Sequence, residues 1–234
     1  MKLDYLPLEK VKLSRPVDRI AWILDQAKGK AVLDLGAYDE TAVTKIWTKF
    51  WLHGRLAQVA SRVVGIDHSE KLSSEGLQVS PNSVILKGRI EDLDRLTRGH
   101  EFDVIVAGEF IEHLPDALDF LTRIKRNPHF ANKQLIVTTP NAFSLHNVLL
   151  GLLRRESTHP DHLQVYSFKT LNTLCTRAGF QSWEIVPYHV SFTETILRTK
   201  GPQKLFAQAS EKAVHLFEIL FPMLSGGWIV NIRI

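Results

Sequence analysis

Residues 31–40 read AVLDLGAYDE. The apolar run around Asp34 suits a strand buried on both faces, and Gly36 ends it in a tight turn. Working outward, the same signature returns in RVVGID (62–67), SVILKG (83–88), FDVIVAG (102–108) and QLIVTTP (134–140). Each run is rich in Val, Ile or Leu and stops at Gly, Asp or Pro. Longer mixed segments lie between them. SRPVDRIAWILDQAKGK (14–30) carries Val17, Ile20, Ala21, Leu24 and Ala27 at helical spacing and predicts a helix at about 14–28, closed by Gly29. Between the first two strands, Val43, Ile46, Trp47, Phe50 and Trp51 recur at three and four residues and Leu56 and Val59 resume the pattern, which one long helix or two short ones satisfy. LPDALDFLTRIKR (114–126) and SFKTLNTLCTRAGF (167–180) give two more amphipathic helices, the second closed by Gly179. Strands alternating with helices predict an α/β fold, a Rossmann-like doubly wound sheet, mostly parallel, in three αβα layers.

The last third reads differently. SWEIVPYHV (182–190) and GGWIVNIRI (226–234) are strand-like and predict an antiparallel C-terminal edge to the sheet. The helix between them carries Leu205, Ala209, Ala213, Leu216 and Leu220 as an apolar stripe. That stripe is expected to pack on the core; the alternative is a face for a membrane or a lipid-linked molecule. No repeat or low-complexity linker interrupts the chain, so residues 1–234 are read as a single domain. Its cofactor-binding core would span about 30–145 and its substrate-side elements about 146–234.

The 234 residues, 44% of them hydrophobic, can fill one substantial core, and the formal charge of +4 is a mild excess of 29 basic over 25 acidic residues. A balance that slight does not point to nucleic acid. The single cysteine, Cys175, excludes an internal disulfide framework and sits in an apolar helical pattern as a packed thiol. MKLDYLPLEK lacks the apolar core of a signal peptide, and no run approaches the ~20 apolar residues of a bilayer span. A cytoplasmic location is the expectation.

Ligands of open α/β sheets bind beyond the C-terminal strand ends, where strand order reverses, so the turn at Gly36 is the place to seek one. A dinucleotide needs two further glycines there, because its pyrophosphate must approach the backbone and a helix N-terminus. Here Ala37, Tyr38 and Asp39 follow. Tyr38 adds bulk and Asp39 a charge that repels phosphate, which disfavours NAD and FAD. S-adenosylmethionine has no phosphate and is compatible with such a turn. Asp39 is equally placed to cap the next helix. Asp67, at the tip of the second strand and followed by His68, can accept hydrogen bonds from both ribose hydroxyls. In KGRIEDL, the backbone around Ile90 and the acids Glu91 and Asp92 can meet an adenine, or those acids can open a helix.

In these segments the chain resembles the class I S-adenosylmethionine-dependent methyltransferases, in particular the small-molecule group. VLDLGA, VVGIDHS, KGRIEDL, FDVIVAGEFIEHLPD and LIVTTPNAF follow that family's order over about residues 30–145, and HPDHLQVYSFKTLNTLCTRAGF extends the likeness to about residue 180. The resemblance implies seven strands with the last antiparallel, and S-adenosylmethionine as cofactor. Asp34, Gly36 and Ala37 would frame the methionine end, Asp67 the ribose, Glu91 and Asp92 the adenine, and Glu109 the far wall. Two departures stand out: the first loop is degenerate at Tyr38 and Asp39, and the interval from Asp34 to Asp67 is long, which is read as an extended first helix.

Methyl transfer is an in-line displacement at an already activated carbon, so orientation supplies much of the rate. A base is needed only if the acceptor must lose a proton. His113, His146, His159 and His162 follow the fourth and fifth strands, and His113 and His162 are taken as the catalytic candidates. If GEFIEHLPD is helical, Glu109, Glu112 and His113 share a face that can ligate a divalent metal. Small-RNA ribose methyltransferases have a similar Glu-x-x-Glu-His segment and a later His, matching His162. The favoured reading has the same residues line a metal-free pocket, because the chain lacks the concentrated basic surface expected for RNA, and the metal site is the alternative. The expectation is methyl transfer to a small or lipid-linked acceptor, with oxygen ahead of nitrogen and without nucleic acid. A metal-dependent RNA ribose 2′-O-methyltransferase and a noncatalytic partner protein of the same fold are the alternatives.

Overall fold

The computed structural model describes residues 10–38 and 45–234. The expectations placed on Asp39 and Val43 lie outside them. Helix α1 (Arg19–Ala27) is capped by Asp18, whose carboxylate accepts the Ala21 N–H at 2.7 Å. The strands are β1 (Ala31–Leu35), β2 (Arg62–Asp67), β3 (Leu77–Ser80), β4 (Ser83–Lys87), β5 (Val104–Gly108), β6 (Gln134–Pro140), β7 (Ser182–Tyr188) and β8 (Gly227–Arg233). Helix α2 (Leu52–Val59) joins β1 to β2, the short α3 (Leu93–Leu96) precedes β5, and α4 (Ala117–Arg126) follows it. Helices α5 (Leu145–Leu152) and α6 (Phe168–Ala178) lie between β6 and β7, and α7 (Thr193–Arg198) and α8 (Gly201–Leu220) between β7 and β8.

These strands form one sheet in the order β3-β4-β2-β1-β5-β6-β8-β7. Strands β1, β2, β4, β5 and β6 are mutually parallel. The expected antiparallel C-terminal strand is β8, which pairs with β6 on one side and β7 on the other. It therefore lies one place in from the edge, and β7 takes the edge itself. Among the described residues the sheet has eight strands, not the seven implied by resemblance, because Leu77–Ser80 folds back on β4 as a short antiparallel strand. Residues 46–50 run in turns and a bend, and the helix Leu52–Val59 follows them.

Alternate side chains of each strand enter opposite layers. Leu33, Leu35, Ile105, Ala107, Leu135 and Val137 face α4 and α6. Val32, Val63, Val104, Val106, Ile136 and Ile229 face α1 and α2. The three-layer architecture follows from these two cores. Helix α4 shows why its segment is helical: Asp116 caps it, basic residues close it, and Phe120, Leu121 and Ile124 on one face are buried. Each such side chain contributes about 1.5–3 kcal/mol on removal from water. Helix α6 opens with a Ser167–Thr170 capping box and stops at Gly179 in the left-handed conformation.

The stripe at 205–220 departs from expectation. Leu205, Ala209, Ala213, Leu216 and Leu220 are all exposed, and α8 turns Ala207 and Glu218 inward instead. No helix among the described residues is long and apolar enough to cross a membrane.

Candidate active site

Chain order runs outward from β1 through β2 to β4, then returns to β5 and runs the other way through β6. The switch point is thus between β1 and β5, whose C-terminal ends carry Gly36 and Glu109. Gly36 has φ +74°, and a Cβ there would lie 2.9 Å from the Phe110 ring, so the turn admits no side chain. Its N–H donates to the Ile66 carbonyl at 2.9 Å. Trp51, buried at the start of α2, donates its indole N–H to the Ala37 carbonyl at 3.1 Å and pins the next residue of the turn.

Asp67 closes the turn from β2. One carboxylate oxygen accepts the Tyr38 N–H at 2.9 Å and the other the Ser69 N–H at 2.8 Å. Burial raises its pKa above the ordinary 3.8, an effect that these two N–H groups oppose. An ionised carboxylate offers about four acceptor positions, so Asp67 keeps capacity for ribose hydroxyls. His68 points to solvent with its side chain 75% exposed. Asp34 turns into the α2 layer: it accepts from His53 Nδ1 at 2.9 Å, and His53 Nε2 pairs with the Ser83 hydroxyl at 2.8 Å. Asp34 thereby braces the strand beneath the turn. Gly65 makes room for this, since a Cβ would come within 2.6 Å of Ala37 and 2.7 Å of His53.

Ile90, Glu91 and Asp92 form a 3₁₀ turn after β4, in which Glu91 is exposed and Asp92 pairs with Arg95 at 3.5 Å. Ile90 and Glu91 border a cavity of about 750 Å³ that extends between α3 and α4 to Arg98 and His129. That cavity includes neither Asp67 nor Glu109, so it stands beside the switch point rather than at it.

At the β5 tip, Glu109 has φ +52°, an uncommon conformation for a residue with a side chain. Its backbone N–H donates to Thr138 O at 3.0 Å, and its carboxylate accepts from the Tyr188 hydroxyl at 2.8 Å and the Thr138 hydroxyl at 3.1 Å. Arg19 of α1 lies 3.7 Å from the same oxygen. Burial and the Glu109 charge hold the Tyr188 hydroxyl well above its ordinary pKa, so it stays a donor. Arg19, Thr138, Tyr188, Trp51 and His53 carry no local signature of these roles beyond being polar or aromatic residues near element ends.

Residues 109–113 do not form the helix that the ligand spacing assumed; only Ile111–His113 turn, as a 3₁₀ segment. The turn nevertheless gathers candidates. Glu112 is 1% exposed, and neither carboxylate oxygen has a hydrogen-bond partner. Burial, then the charge of Glu109, pushes its pKa up to about 9. Its main-chain carbonyl accepts the N–H groups of Leu163 and Gln164 at 2.8 and 3.2 Å. This stitching brings the 159–162 loop over the turn. One ligand atom each from Glu112, His113 and His162 lie within 4.8 Å of one another. His113 donates its Nδ1–H to the Asp161 carbonyl at 3.2 Å, which leaves Nε2 with the lone pair. Burial, with His113 and His159 nearby, lowers the pKa of His162 and favours its neutral form. His159 stands at the rim, 5.5 Å ring to ring from His162, whereas His146 is exposed on α5. Of the four ligands anticipated, three converge; Glu109 is held by Tyr188 and Thr138.

A family model described as a methyltransferase domain matches residues 8–185. The chain belongs to this methyltransferase family. No curated relative matches the sequence. Among solved structures, an Archaeoglobus fulgidus S-adenosylmethionine-dependent methyltransferase is 14% identical with a TM-score of 0.53, covering 92% of this chain and 91% of that one. A Thermotoga maritima S-adenosylmethionine-dependent methyltransferase is 14% identical with a TM-score of 0.57, over 92% and 86%. The small RNA methyltransferase HEN1 is 16% identical with a TM-score of 0.54, over 97% of this chain and 27% of that one. At these identities the likeness is one of fold. With the family match it bears out a methyltransferase enzyme that uses S-adenosylmethionine.

Proposed function

We propose that this methyltransferase transfers the S-adenosylmethionine methyl group to a hydroxyl of a small or lipid-linked acceptor, with a divalent cation held by Glu112, His113 and His162. The observation that carries this reading is Glu112: a buried carboxylate with two partnerless oxygens, beside two imidazoles. Leaving such oxygens unmade costs about 1–3 kcal/mol or more, and a cation would satisfy them. Carboxylate and imidazole together suit a divalent ion of the first transition row or magnesium. When bound, that ion would lower the pKa of an acceptor hydroxyl.

The chain's own residues supply the rest. The Gly36 turn and Asp67 hold the donor, Phe110 and Glu109 wall the crevice, and His159, outside the ligand set, can take the hydroxyl proton. Just after His162 the exposed side chains Leu163 and Val165 are apolar, which supports an acceptor with hydrophobic character. A terminal ribose hydroxyl of RNA is the second reading, favoured by the order Glu112, His113, then His162.

Calorimetric titration of the protein, saturated with S-adenosylhomocysteine, with Mn²⁺ or Mg²⁺ tests the cation. One site is expected, lost in Glu112→Gln; no binding to the wild type would overturn it. Methyl transfer from labelled donor to a lipid extract, against a short RNA with free terminal hydroxyls, separates the two acceptors.

A further inference from the structure

Helix α8 is inverted. Its two acids face the protein: Glu218 accepts from His189 Nδ1 at 2.7 Å and from the Val190 N–H at 3.1 Å, and Glu211 accepts the Phe192 N–H at 2.8 Å. His215 completes this clasp, donating to the Val190 carbonyl at 2.7 Å and stacking on His189 at 4.3 Å. The apolar residues face outward, with Leu205, Phe206, Leu216 and Leu220 each more than 60% exposed. Helix α5 buries no residue, and Leu149 and Leu152 on it are likewise exposed. Both helices belong to the active end of the sheet. Register pairs Pro140, Gly227 and Tyr188, so α5 leaves there after β6, and the α7–α8 excursion leaves and returns there.

We infer that the outward faces of α5 and α8 dock the protein on an anionic lipid bilayer, with the crevice opening toward the headgroups. Charge decides the occupant. Both acids of α8 are spent on the clasp, while Lys200, Lys204 and Lys212 are exposed, as are Arg154 and Arg155 just after α5. An apolar helix face bordered by basic residues lies in the plane of a membrane interface. Lys212 falls inside the stripe, between Ala209 and Leu216. Against a second copy of this chain that lysine would be buried; at a bilayer its stem lies among acyl chains and its ammonium reaches the phosphates. Docking requires neither methyl donor nor cation, and only the orientation uses the active-site reading above.

Co-sedimentation of the full chain with phosphatidylcholine vesicles, with and without phosphatidylglycerol, tests the inference, in parallel with sedimentation velocity of the protein alone. Binding to the anionic vesicles is expected to be at least about tenfold stronger. Leu216→Glu with Leu220→Glu should cut it by about tenfold or more, and Lys204→Glu with Lys212→Glu should remove the anionic preference, with melting temperature and S-adenosylhomocysteine affinity unchanged in both. Failure to bind either vesicle, or a dimer that the leucine pair dissolves without any vesicle binding, would overturn it. Retained S-adenosylhomocysteine binding would leave the methyltransferase site standing in either case.

Discussion

Two buried carboxylates face the crevice from opposite sides of the switch point, and they are built differently. Asp67, 8% exposed at the β2 tip, has one backbone N–H on each oxygen. Glu112, 1% exposed beyond β5, has none on either. Burial raises the pKa of both; the Ser69 and Tyr38 N–H groups oppose it at Asp67, and at Glu112 the charge of Glu109 adds to it. On the function proposed above, the difference is a division of labour: the donor side is organised in advance by the chain itself, whereas the acceptor side carries a carboxylate that an added cation would satisfy.

The most severe way to break the comparison is Glu112→Ala. Methyl transfer should fall by at least about a hundredfold while S-adenosylhomocysteine affinity stays within about twofold, as read by steady-state kinetics and calorimetry. A parallel loss of both would make Glu112 another part of the donor side. Next, Asp67→Ala should weaken S-adenosylhomocysteine by about 1–3 kcal/mol, since charge-assisted hydrogen bonds are lost and the Tyr38 turn is loosened. Unchanged affinity would remove Asp67 from the ribose.

The smallest effect is on stability and sharpens the contrast. In metal-free protein the unfolded chain releases the Glu112 proton near 4.5, whereas the folded protein keeps it to about 9. Its contribution is therefore fully present below 4.5 and is lost as pH rises toward 9. Thermal melts across that window should slope downward with pH, and Glu112→Gln should flatten the slope. A slope that survives in Glu112→Gln would belong to other groups.

Much of the donor side was legible because its residues sit at strand ends. Val-rich runs announce strands buried on both faces, and Gly36 and Asp67 follow directly from where two of them stop. Strand β3 escaped notice because four residues, none of them buried, carry little pattern. Arg19, Thr138 and Tyr188 escaped for another reason: Arg19 meets Thr138 across 119 residues and Tyr188 meets Glu109 across 79, and only the folded sheet makes them neighbours. The cluster of Glu112, His113 and His162 was anticipated through a helical spacing that the chain does not adopt; backbone bonds from the 163–164 segment to the Glu112 carbonyl, not helical periodicity, assemble it. For α8 the period was visible and the direction was not. A leucine stripe looks the same in sequence whether it meets a core or leaves it. What distinguished the cases was the opposite face, where Glu211, His215 and Glu218 are spaced to grip one loop.

One residue, Glu112, grips the histidine loop with its main-chain oxygen and faces His162 with its side chain. If Glu112 holds a cation as proposed, loop position and cation occupancy are coupled through this one residue, and by linkage each biases the other by the same factor. Hydrogen exchange at the Leu163 and Gln164 amides would then report, without any substrate, how firmly the site is filled.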